Sequence, residues 1–485
     1  MLTWLAAQVI AFTIFGATFE ILQYSFIKAF FLSIDIILII WGAMFLYQAT
    51  KNAGTIQIIG NFLSELTDNK AFVGIFLGWL FPSFLQGMGG FGVPVAVSAP
   101  LLVSAGFTPT LAVVITSIGH GWGVTFGSMG SSFRTMMGVT GLSVEFLAPQ
   151  AAILLGLSSL FCGIFVTYLS GGKNNFVKSI PLVLLLFAIL FSGQYILATN
   201  DLWVIAVTLP ALISLGVSFL FVRFFSSYSR NYLLNLSNAK KREVLTAILP
   251  YLILVVLIVI FNFFSPLKEF FKPYTISVNF PELSTKFGFV TPAGPSKQIN
   301  LFLHPGTIIS ISGLLSYALL RKRGYLADKK LKNIVIDSFK SSRNTSIAIF
   351  SLVGTAVVMN HAQMTNLLAE GISNILNPVI YPVISPFIGA LGAFITGSNN
   401  NSNVLFGMLQ MQTAIFMDLP VALILAGQTA GGALGSIMAP AKVILGCSTV
   451  GLAGKEGQVI SKLVVYTTSI ILIIGLATFL ILRLG

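Results

Sequence analysis

Apolar runs about as long as a membrane span recur along the whole chain. One of them, DIILIIWGAMFLY at 35–47, shows no alternation of polar and apolar residues. A helix needs roughly 20 apolar residues to cross a bilayer, whereas a strand of a membrane β-barrel alternates polar and apolar residues. Charged residues make up only 8% of the 485 residues, and the mean hydropathy is +0.93. The sequence therefore predicts an all-α polytopic membrane protein.

Two basic clusters set the predicted topology. Lysines and arginines concentrate in and beside the hydrophilic stretches 224–243 and 321–344. Such clusters flank membrane spans on the cytoplasmic side, so we predict that both stretches face the cytoplasm of a multi-pass cell-membrane protein. Two apolar segments, 245–264 and 305–320, lie between them and return the chain to the same side. A lipid bilayer, rather than a nucleic acid, thereby accounts for the net charge of +13.

The order of apolar and polar segments suggests how the chain is organised. We interpret MLTWLAAQVIAFTIFGATF as a retained first span, because it lacks the basic start of a signal peptide. The pattern predicts about 11–14 transmembrane helices. The predicted parts are N-terminal, scaffold-like spans at 1–70, a first transport repeat at 71–145, central spans with the basic loops at 146–344, and a second transport repeat with a final span at 345–485.

Two segments, 89–130 and 397–440, share one pattern. Each opens with a break, continues with a short apolar arm and a proline, and ends in a small-residue cluster, GSM or GSIM. Between proline and cluster lies a span with polar residues at mid-membrane. These polar residues are Thr116, Ser117, Gln428 and Thr429. Paired, interrupted segments in corresponding halves indicate the binding site of a transporter, so we expect two repeats with broken helices or re-entrant hairpins.

The breaks themselves carry the predicted ligand contacts. GMGGFG at 87–92 formally fits a dinucleotide-binding pattern, but no βαβ unit surrounds it. Its glycines could instead bring backbone N–H groups close to an anion at a helix start, or simply let helices pack closely. The second break is a run of six polar residues between apolar stretches, which bilayers tolerate only where protein buries it or water reaches it. The predicted ligand-binding residues of the two breaks are Gly89, Gly90, Phe91, Gly92, Ser398, Asn399, Asn400, Asn401, Ser402 and Asn403.

Few ionisable residues lie in or near the spans, and such residues are usually functional. Arg134 and Lys442 each follow a small-residue cluster, where either could neutralise a substrate carboxylate or extend to the membrane interface. His120 lies mid-span and titrates near neutrality, which makes it a candidate proton carrier, although a buried neutral histidine is the alternative. Asp35 is a second candidate, and Gln86 is a polar neighbour of the first break.

Enzyme and cofactor signatures are absent from the sequence. Two cysteines and three histidines give no metal-ligand spacing, and HExxH, GxSxG and Gly-x-Gly-Asp do not occur. We therefore expect no catalytic residues, no metal and no cofactor.

Three long stretches resemble the lactate permease family of bacterial and archaeal 2-hydroxymonocarboxylate transporters. They are PSFLQGMGGFGVPVAVSAPLLVSAGFTP, SPFIGALGAFITGSNNNSNVLFGMLQ and TAGGALGSIMAPAKVILGCSTVGLAGKEG. The resemblance implies proton-coupled uptake of L-lactate, D-lactate or glycolate. It also implies inverted repeats with re-entrant hairpins and a homodimer with scaffold and transport parts.

The chain departs from the family's pattern at four positions. Gln86 and Asn399 stand where the family usually carries acids, His120 stands where asparagine is common, and Lys442 stands where a neutral residue is expected. Two acids are lost and a cation is gained. The substrate class is therefore better supported than the coupling ion. A carrier of another organic or inorganic anion with altered or no proton coupling, an anion channel and a membrane-embedded sensor stay open as alternatives.

Overall fold

The computed structural model describes residues 1–90, 92–225, 232, 235–295 and 299–484. Helices dominate this part of the chain, as the apolar runs predict. They are α1 (Leu2–Thr13), α2 (Phe19–Asn52), α3 (Thr55–Glu65), α4 (Lys70–Met88, with a π-helical stretch at Gly74–Leu80), α5 (Val93–Ser104), α6 (Pro109–Gly121), α7 (Gly127–Thr140), α8 (Val144–Thr199), α9 (Thr208–Phe225), α10 (Asn238–Phe263), α11 (Ser265–Phe271), α12 (Pro305–Lys322), α13 (Leu331–His361), α14 (Met364–Ile375), α15 (Tyr381–Thr396), α16 (Asn399–Phe416), α17 (Val421–Ile437), α18 (Pro440–Thr449) and α19 (Glu456–Leu484).

Short strands occupy the segment between α11 and α12. They are β1 (Thr275–Ile276), β2 (Asn279–Phe280), β3 (Leu283–Ser284), β4 (Val290–Thr291), β5 (Gly294–Pro295) and β6 (Ile299–Asn300). They pair antiparallel as β1–β6, β2–β5 and β3–β4, with Thr275 opposite Asn300. The chain therefore doubles back on itself between two apolar helices.

The all-α polytopic class is confirmed. Among the described residues, six helices are long and apolar enough to cross a membrane, and α13 with α14 form a further pair bent by 75°. Helix α8 contains two helical parts, because Gly172 adopts a left-handed φ of 65° inside it. Shorter apolar helices such as α5 and α15 belong to hairpins, so helices and crossings do not correspond one to one. The predicted count of 11–14 crossings therefore stays a prediction.

Helices α2, α12 and α13 pack together, and we call them the scaffold helices. A Cβ atom on Gly42 of α2 would lie 2.6 Å from the carbonyl oxygen of Gly306, so only glycine permits this approach of α2 to α12. Helix α13 runs antiparallel to α2, because Ser341 accepts a hydrogen bond from Gln48 Nε2 (3.0 Å) while His361 contacts Ser25 near the other end of α2. The predicted boundary at residue 344 falls inside α13.

Helices α4 and α5 form hairpin A. The base of this hairpin is closed by Lys70, whose Nζ donates to the carbonyl oxygen of Gly106 at 3.3 Å. At the tip, Gly90 and Gly92 have positive φ values of 52° and 87°. Asn69 caps the start of α4, because its Oδ1 accepts a hydrogen bond from the backbone N–H of Ala71 at 2.9 Å.

Helices α15 and α16 form hairpin B. Tyr381 Oη donates to Gln410 Oε1 at 2.6 Å near the base, and Ser402 Oγ donates to the carbonyl oxygen of Gly389 at 2.7 Å nearer the tip. The tip turns at Gly397, whose φ is 77°. The polar run 398–403 thus forms the tip and the first turn of α16.

The two hairpins enter from opposite ends of the molecule. Glu65, shortly before hairpin A, bonds to Lys240 in the first turn of α10. Arg323 Nη1 donates to Thr246 Oγ1 at 2.6 Å, which places the end of α12 at this same, basic end. Helix α13 starts there and runs away from it, so hairpin B begins at the far end.

Each hairpin is followed by a broken helix. Broken helix A consists of α6 and α7 and follows hairpin A, and broken helix B consists of α17 and α18 and follows hairpin B. In broken helix A the chain leaves helical geometry after Gly121 and passes through left-handed residues 128–130. Trp122 at this break is fully buried, and its Nε1 donates to Ser83 of hairpin A at 2.9 Å. In broken helix B the interruption is Met438 and Ala439. We call the hairpins and broken helices together the hairpin layer.

Candidate functional site

A cavity of about 430 Å³ lies between scaffold helix α13 and the hairpin layer. It receives residues from the tip of hairpin B, from both broken helices and from one turn of hairpin A. The lining residues are Gln86, Val124, Ser128, Ser132, Ser341, Asn344, Thr345, Ala348, Thr396, Gly397, Ser398, Asn399, Asn400, Asn401, Ala441, Lys442 and Leu445. This volume falls in the range of roughly 300–1,000 Å³ typical of small-molecule sites.

Asn399 and Asn403 tie the tip of hairpin B to both broken helices. Asn399 Nδ2 donates to Thr125 Oγ1 at 3.0 Å, and Asn403 Nδ2 donates to Thr429 Oγ1 at 2.9 Å and to the carbonyl oxygen of Ser132 at 3.0 Å. Thr125 and Thr429 lie 3.1 Å apart through their hydroxyl oxygens. The tip is therefore held by a buried network that joins it to both broken helices.

Asn400 and Asn401 face the cavity. Ser132 Oγ donates to Asn400 Oδ1, which leaves Asn400 Nδ2 without a protein partner. Asn401 Oδ1 and Gln86 Oε1 also lack protein partners, although all three side chains are buried. An unmet buried polar group costs roughly 1–3 kcal/mol, so these three atoms favour occupation by a polar ligand or by water.

The electrostatics of the cavity are positive. Lys442, near the start of α18, is the one ionisable side chain among the described lining residues, and its Nζ donates to Ser436 Oγ at 2.9 Å. Helix α16 begins at Asn399 beside the same cavity. The first N–H groups of a helix have no intrahelical partner and carry a partial positive charge. The arrangement can hold a small anion.

A second polar chain supports the tip from behind. Gln428 Oε1 accepts from Gln410 Nε2 at 3.1 Å, and Gln428 Nε2 donates to Ser402 Oγ at 3.1 Å. Gln428 and Ser402, both of interest in the sequence, therefore lie inside the hairpin layer rather than among the cavity residues.

Arg134 and Asp35 lie together but are not among the lining residues. Arg134 Nε and Nη2 donate to the two carboxylate oxygens of Asp35 at 2.7 and 2.6 Å. His304 Nε2 lies 3.2 Å from Asp35 Oδ1. The guanidinium of Arg134 therefore already has a carboxylate partner within the protein.

His120 is buried on α6, outside the cavity lining. Its Nδ1 lies 2.7 Å from the carbonyl oxygen of Thr116, so Nδ1 carries the proton and donates, while Nε2 lacks a protein partner. Thr116 in turn donates to the carbonyl oxygen of Ala112, and Ser117 is buried on the same helix.

The glycines of hairpin A lie in packing contacts rather than in the cavity lining. A Cβ on Gly90 would overlap Ser128 Oγ, and one on Gly92 would approach Leu445 to 2.5 Å. A Cβ on Gly89 would meet Tyr47 at an ordinary 3.5 Å. Phe91 lies outside the described residues.

Several cavity residues were not predicted from the sequence. Ser341, Asn344, Thr345 and Ala348 follow an i, i+3, i+4, i+7 spacing, which places them on one face of α13. That spacing of small and polar residues was the available signal. The prediction of a basic loop at 321–344 obscured it, because the helix in fact begins at Leu331. Thr125, in the break of broken helix A, was also missed.

Paired hairpins, paired broken helices and a polar cavity between this layer and scaffold helix α13 define a polytopic membrane carrier fold. The family model for L-lactate permease matches residues 1–485, and the chain belongs to this family. It is 27% identical over 479 residues to the glycolate permease of Escherichia coli K12, covering 91% of this chain and 83% of that protein. It is 26% identical over 478 residues to the L-lactate permease of Bacillus subtilis 168, covering 91% and 84%.

A solved structure supports the fold. The chain resembles the YdaH transporter of Alcanivorax borkumensis with a TM-score of 0.53 and 12% identity, covering 95% of this chain and 86% of that one. Membership of the L-lactate permease family, together with the long apolar helices, makes the chain a multi-pass cell-membrane permease rather than an enzyme.

Proposed function

We propose that the protein is a secondary active transporter that takes up small 2-hydroxymonocarboxylates such as L-lactate, D-lactate and glycolate. One observation carries the proposal: the described residues of the cavity supply a single fixed positive charge, Lys442, beside a helix start and unpaired amide groups. The names of the relatives, L-lactate permease and glycolate permease, support the same substrate class.

The cavity offers complementary groups for each part of a 2-hydroxy acid. The carboxylate would lie between Lys442 Nζ, the first N–H groups of α16 and Asn400 Nδ2, all of which donate hydrogen bonds. The 2-hydroxyl group would donate to Asn401 Oδ1 or Gln86 Oε1, which lack protein donors. A 2-hydroxy acid in this position would supply partners for the unmet buried groups.

A monoanion suits the cavity better than a dianion. Arg134 and Lys442 together would favour two negative charges, but Arg134 is already neutralised by Asp35. One remaining cation matches one carboxylate. An anion channel is disfavoured because two hairpins that enter from opposite ends serve alternating access, in which each half gates one side.

Proton coupling, as part of this proposal, would use His120. Gln86 and Asn399 are carboxamides and cannot carry a proton, and Asp35 is held by Arg134 and His304. His120 Nε2 is buried without a protein partner and can accept a proton. A second candidate function is facilitated diffusion, which Lys442 favours because a resident cation can replace a coupling ion.

Proteoliposome transport tests the substrate class. Purified protein should accumulate labelled lactate or glycolate under a gradient and should exchange it in counterflow. Transport of a larger dianion without transport of either monocarboxylate would refute the proposal.

Replacement of His120 separates the two coupling modes. His120→Asn should abolish accumulation driven by a pH gradient, because asparagine cannot be protonated, while lactate counterflow at equal pH persists. Unchanged pH-driven accumulation would exclude His120, and absence of such accumulation in the parent protein would favour facilitated diffusion.

The proposal includes an orientation and an assembly state. The basic end of the molecule would face the cytoplasm, with stretch 224–243 and the part of stretch 321–344 that precedes Leu331. The rest of 321–344 belongs to α13, where Ser341 and Asn344 line the cavity. The protein would form a homodimer. Residues 226–231 and 233–234 of the first stretch lie outside the described residues. Cysteines introduced at exposed positions such as Lys241 or Ala327 should resist an impermeant thiol reagent added to whole cells, and ready labelling would invert the topology.

A further inference from the structure

One buried ionic cluster connects the scaffold helices to the hairpin layer. Asp35 of α2 is 1% exposed and accepts two hydrogen bonds from Arg134 of α7, whose side chain is 18% exposed. His304 precedes α12 and lies 3.2 Å from the same carboxylate. Three helices that are distant in sequence therefore meet at one carboxylate.

The hydrogen bonds define the charges of this cluster. The backbone N–H of Gly306 donates to His304 Nδ1 at 3.1 Å, so Nδ1 is an acceptor and the ring proton is on Nε2. Nε2–H then donates to Asp35, which also accepts both guanidinium bonds. These contacts describe an ionised carboxylate, a charged guanidinium and a neutral histidine, with no net charge.

The position of Arg134 couples the cluster to the candidate site. Ser132, two residues earlier on α7, donates to Asn400 at the cavity and accepts from Asn403 through its carbonyl oxygen. Any displacement of α7 away from α2 would therefore carry the tip of hairpin B with it. In contrast, Lys240 and Glu65 form an ion pair at the basic end whose side chains are 36% and 44% exposed.

We propose that Asp35 and Arg134 form a latch that holds the hairpin layer against the scaffold helices in this conformation and must separate for the carrier to reach its other conformation. His304 orients the carboxylate. The latch rests on the proposed transport function, because a carrier needs two conformations. It assigns Asp35 and Arg134 a positioning role in place of proton transfer and substrate binding.

The rate of thiol labelling at a cavity residue reports whether the latch is closed, and this measurement needs no substrate. Ala348 lines the cavity on α13 and is small, so Ala348→Cys reports how accessible the cavity is. In detergent-purified protein, Asp35→Asn with Arg134→Gln removes both charges and leaves neither partner unpaired. We expect the labelling rate of Ala348→Cys to fall by about fivefold or more. Without the ion pair, the conformation in which Ala348 lines this cavity becomes less populated. Protein without the introduced cysteine provides the blank.

The exchanged pair Asp35→Arg with Arg134→Asp restores the attraction and should return the rate to within about twofold of the parent. A substrate-binding arginine or a proton-carrying aspartate would not be restored by exchange, so transport by this variant separates the roles. Glu65→Gln with Lys240→Gln is the matched control and should leave labelling unchanged, because exposed pairs contribute little.

Unchanged labelling in a monodisperse, neutralised variant would overturn the latch. If that variant does not fold, His304→Gln decides, since it keeps the ion pair but alters one donor. A fall of roughly twofold is then expected, and an unchanged rate overturns the proposal. Because labelling needs no lactate, failure of the substrate assignment would appear in liposomes and leave this result standing.

Discussion

The tips of hairpins A and B begin from the same pattern and end with different environments. The tip of hairpin A is built from glycines, and those with positive φ lie against Ser128 and Leu445 with no room for a Cβ. The tip of hairpin B is built from asparagines, and its side chains line the cavity with unmet hydrogen-bonding atoms. Hairpin A contributes Gln86 to the cavity, from the turn before its tip.

The comparison shows that a broken membrane segment can serve either close packing or ligand contact. Glycines let backbones approach closely and make the break compact. Asparagines supply side-chain donors and acceptors without fixed charge, so they can exchange protein contacts for ligand contacts. We infer that both hairpins have the same architecture but that the tip of hairpin B, and not the tip of hairpin A, contacts the ligand.

Lys442 should show the largest effect, because it supplies the single fixed charge among the described cavity residues. In Lys442→Met the ligand carboxylate would lose its charge partner, which costs about 2–5 kcal/mol when the pair is desolvated, or roughly 30-fold and more in affinity. Lactate uptake kinetics in liposomes would measure it, with Lys442→Arg retaining part of the activity. The exposed Lys455→Met is the control, and equal losses in both variants would contradict the assignment.

Asn399→Ala should come next. Asn399 is 1% exposed and donates to Thr125, so its loss should cost about 1–3 kcal/mol, or roughly 5- to 150-fold in apparent affinity. Asn69→Ala is the matched comparison, because Asn69 only caps α4. The apparent KM for lactate would separate the two. Similar, small changes of the KM in both variants would indicate that the tip of hairpin B has only a structural role.

Gly90→Ala should affect stability rather than recognition. Its φ of 52° and the overlap of a Cβ with Ser128 predict a loss of about 1–3 kcal/mol and a lower thermal midpoint. The KM of the folded fraction should stay near that of the parent. Gly89→Ala, with φ of −128° and space for a Cβ, should change little. A large increase of the KM in Gly90→Ala would indicate that the tip of hairpin A takes part in ligand binding after all.

The local sequence pattern predicted the membrane class and the polar break, because six polar residues between apolar stretches can be recognised from the sequence alone. It could not predict the partner of Arg134, since Asp35 lies 99 residues away and no local period relates them. The cavity wall on α13 was hidden for another reason. Its polar face follows a basic stretch, and charge obscured the helical spacing. Pairings between distant helices require the fold itself.

Ligand protection at Ala441 tests whether lactate binds in the cavity. Ala441 neighbours Lys442 and lines the cavity at the tip of hairpin B. If a lactate-type monoanion binds there, saturating lactate should slow thiol labelling of Ala441→Cys by about tenfold, while an exposed control, Ala327→Cys, labels at an unchanged rate. If lactate does not slow the labelling of Ala441→Cys in protein that is competent for lactate counterflow, lactate does not bind in this cavity.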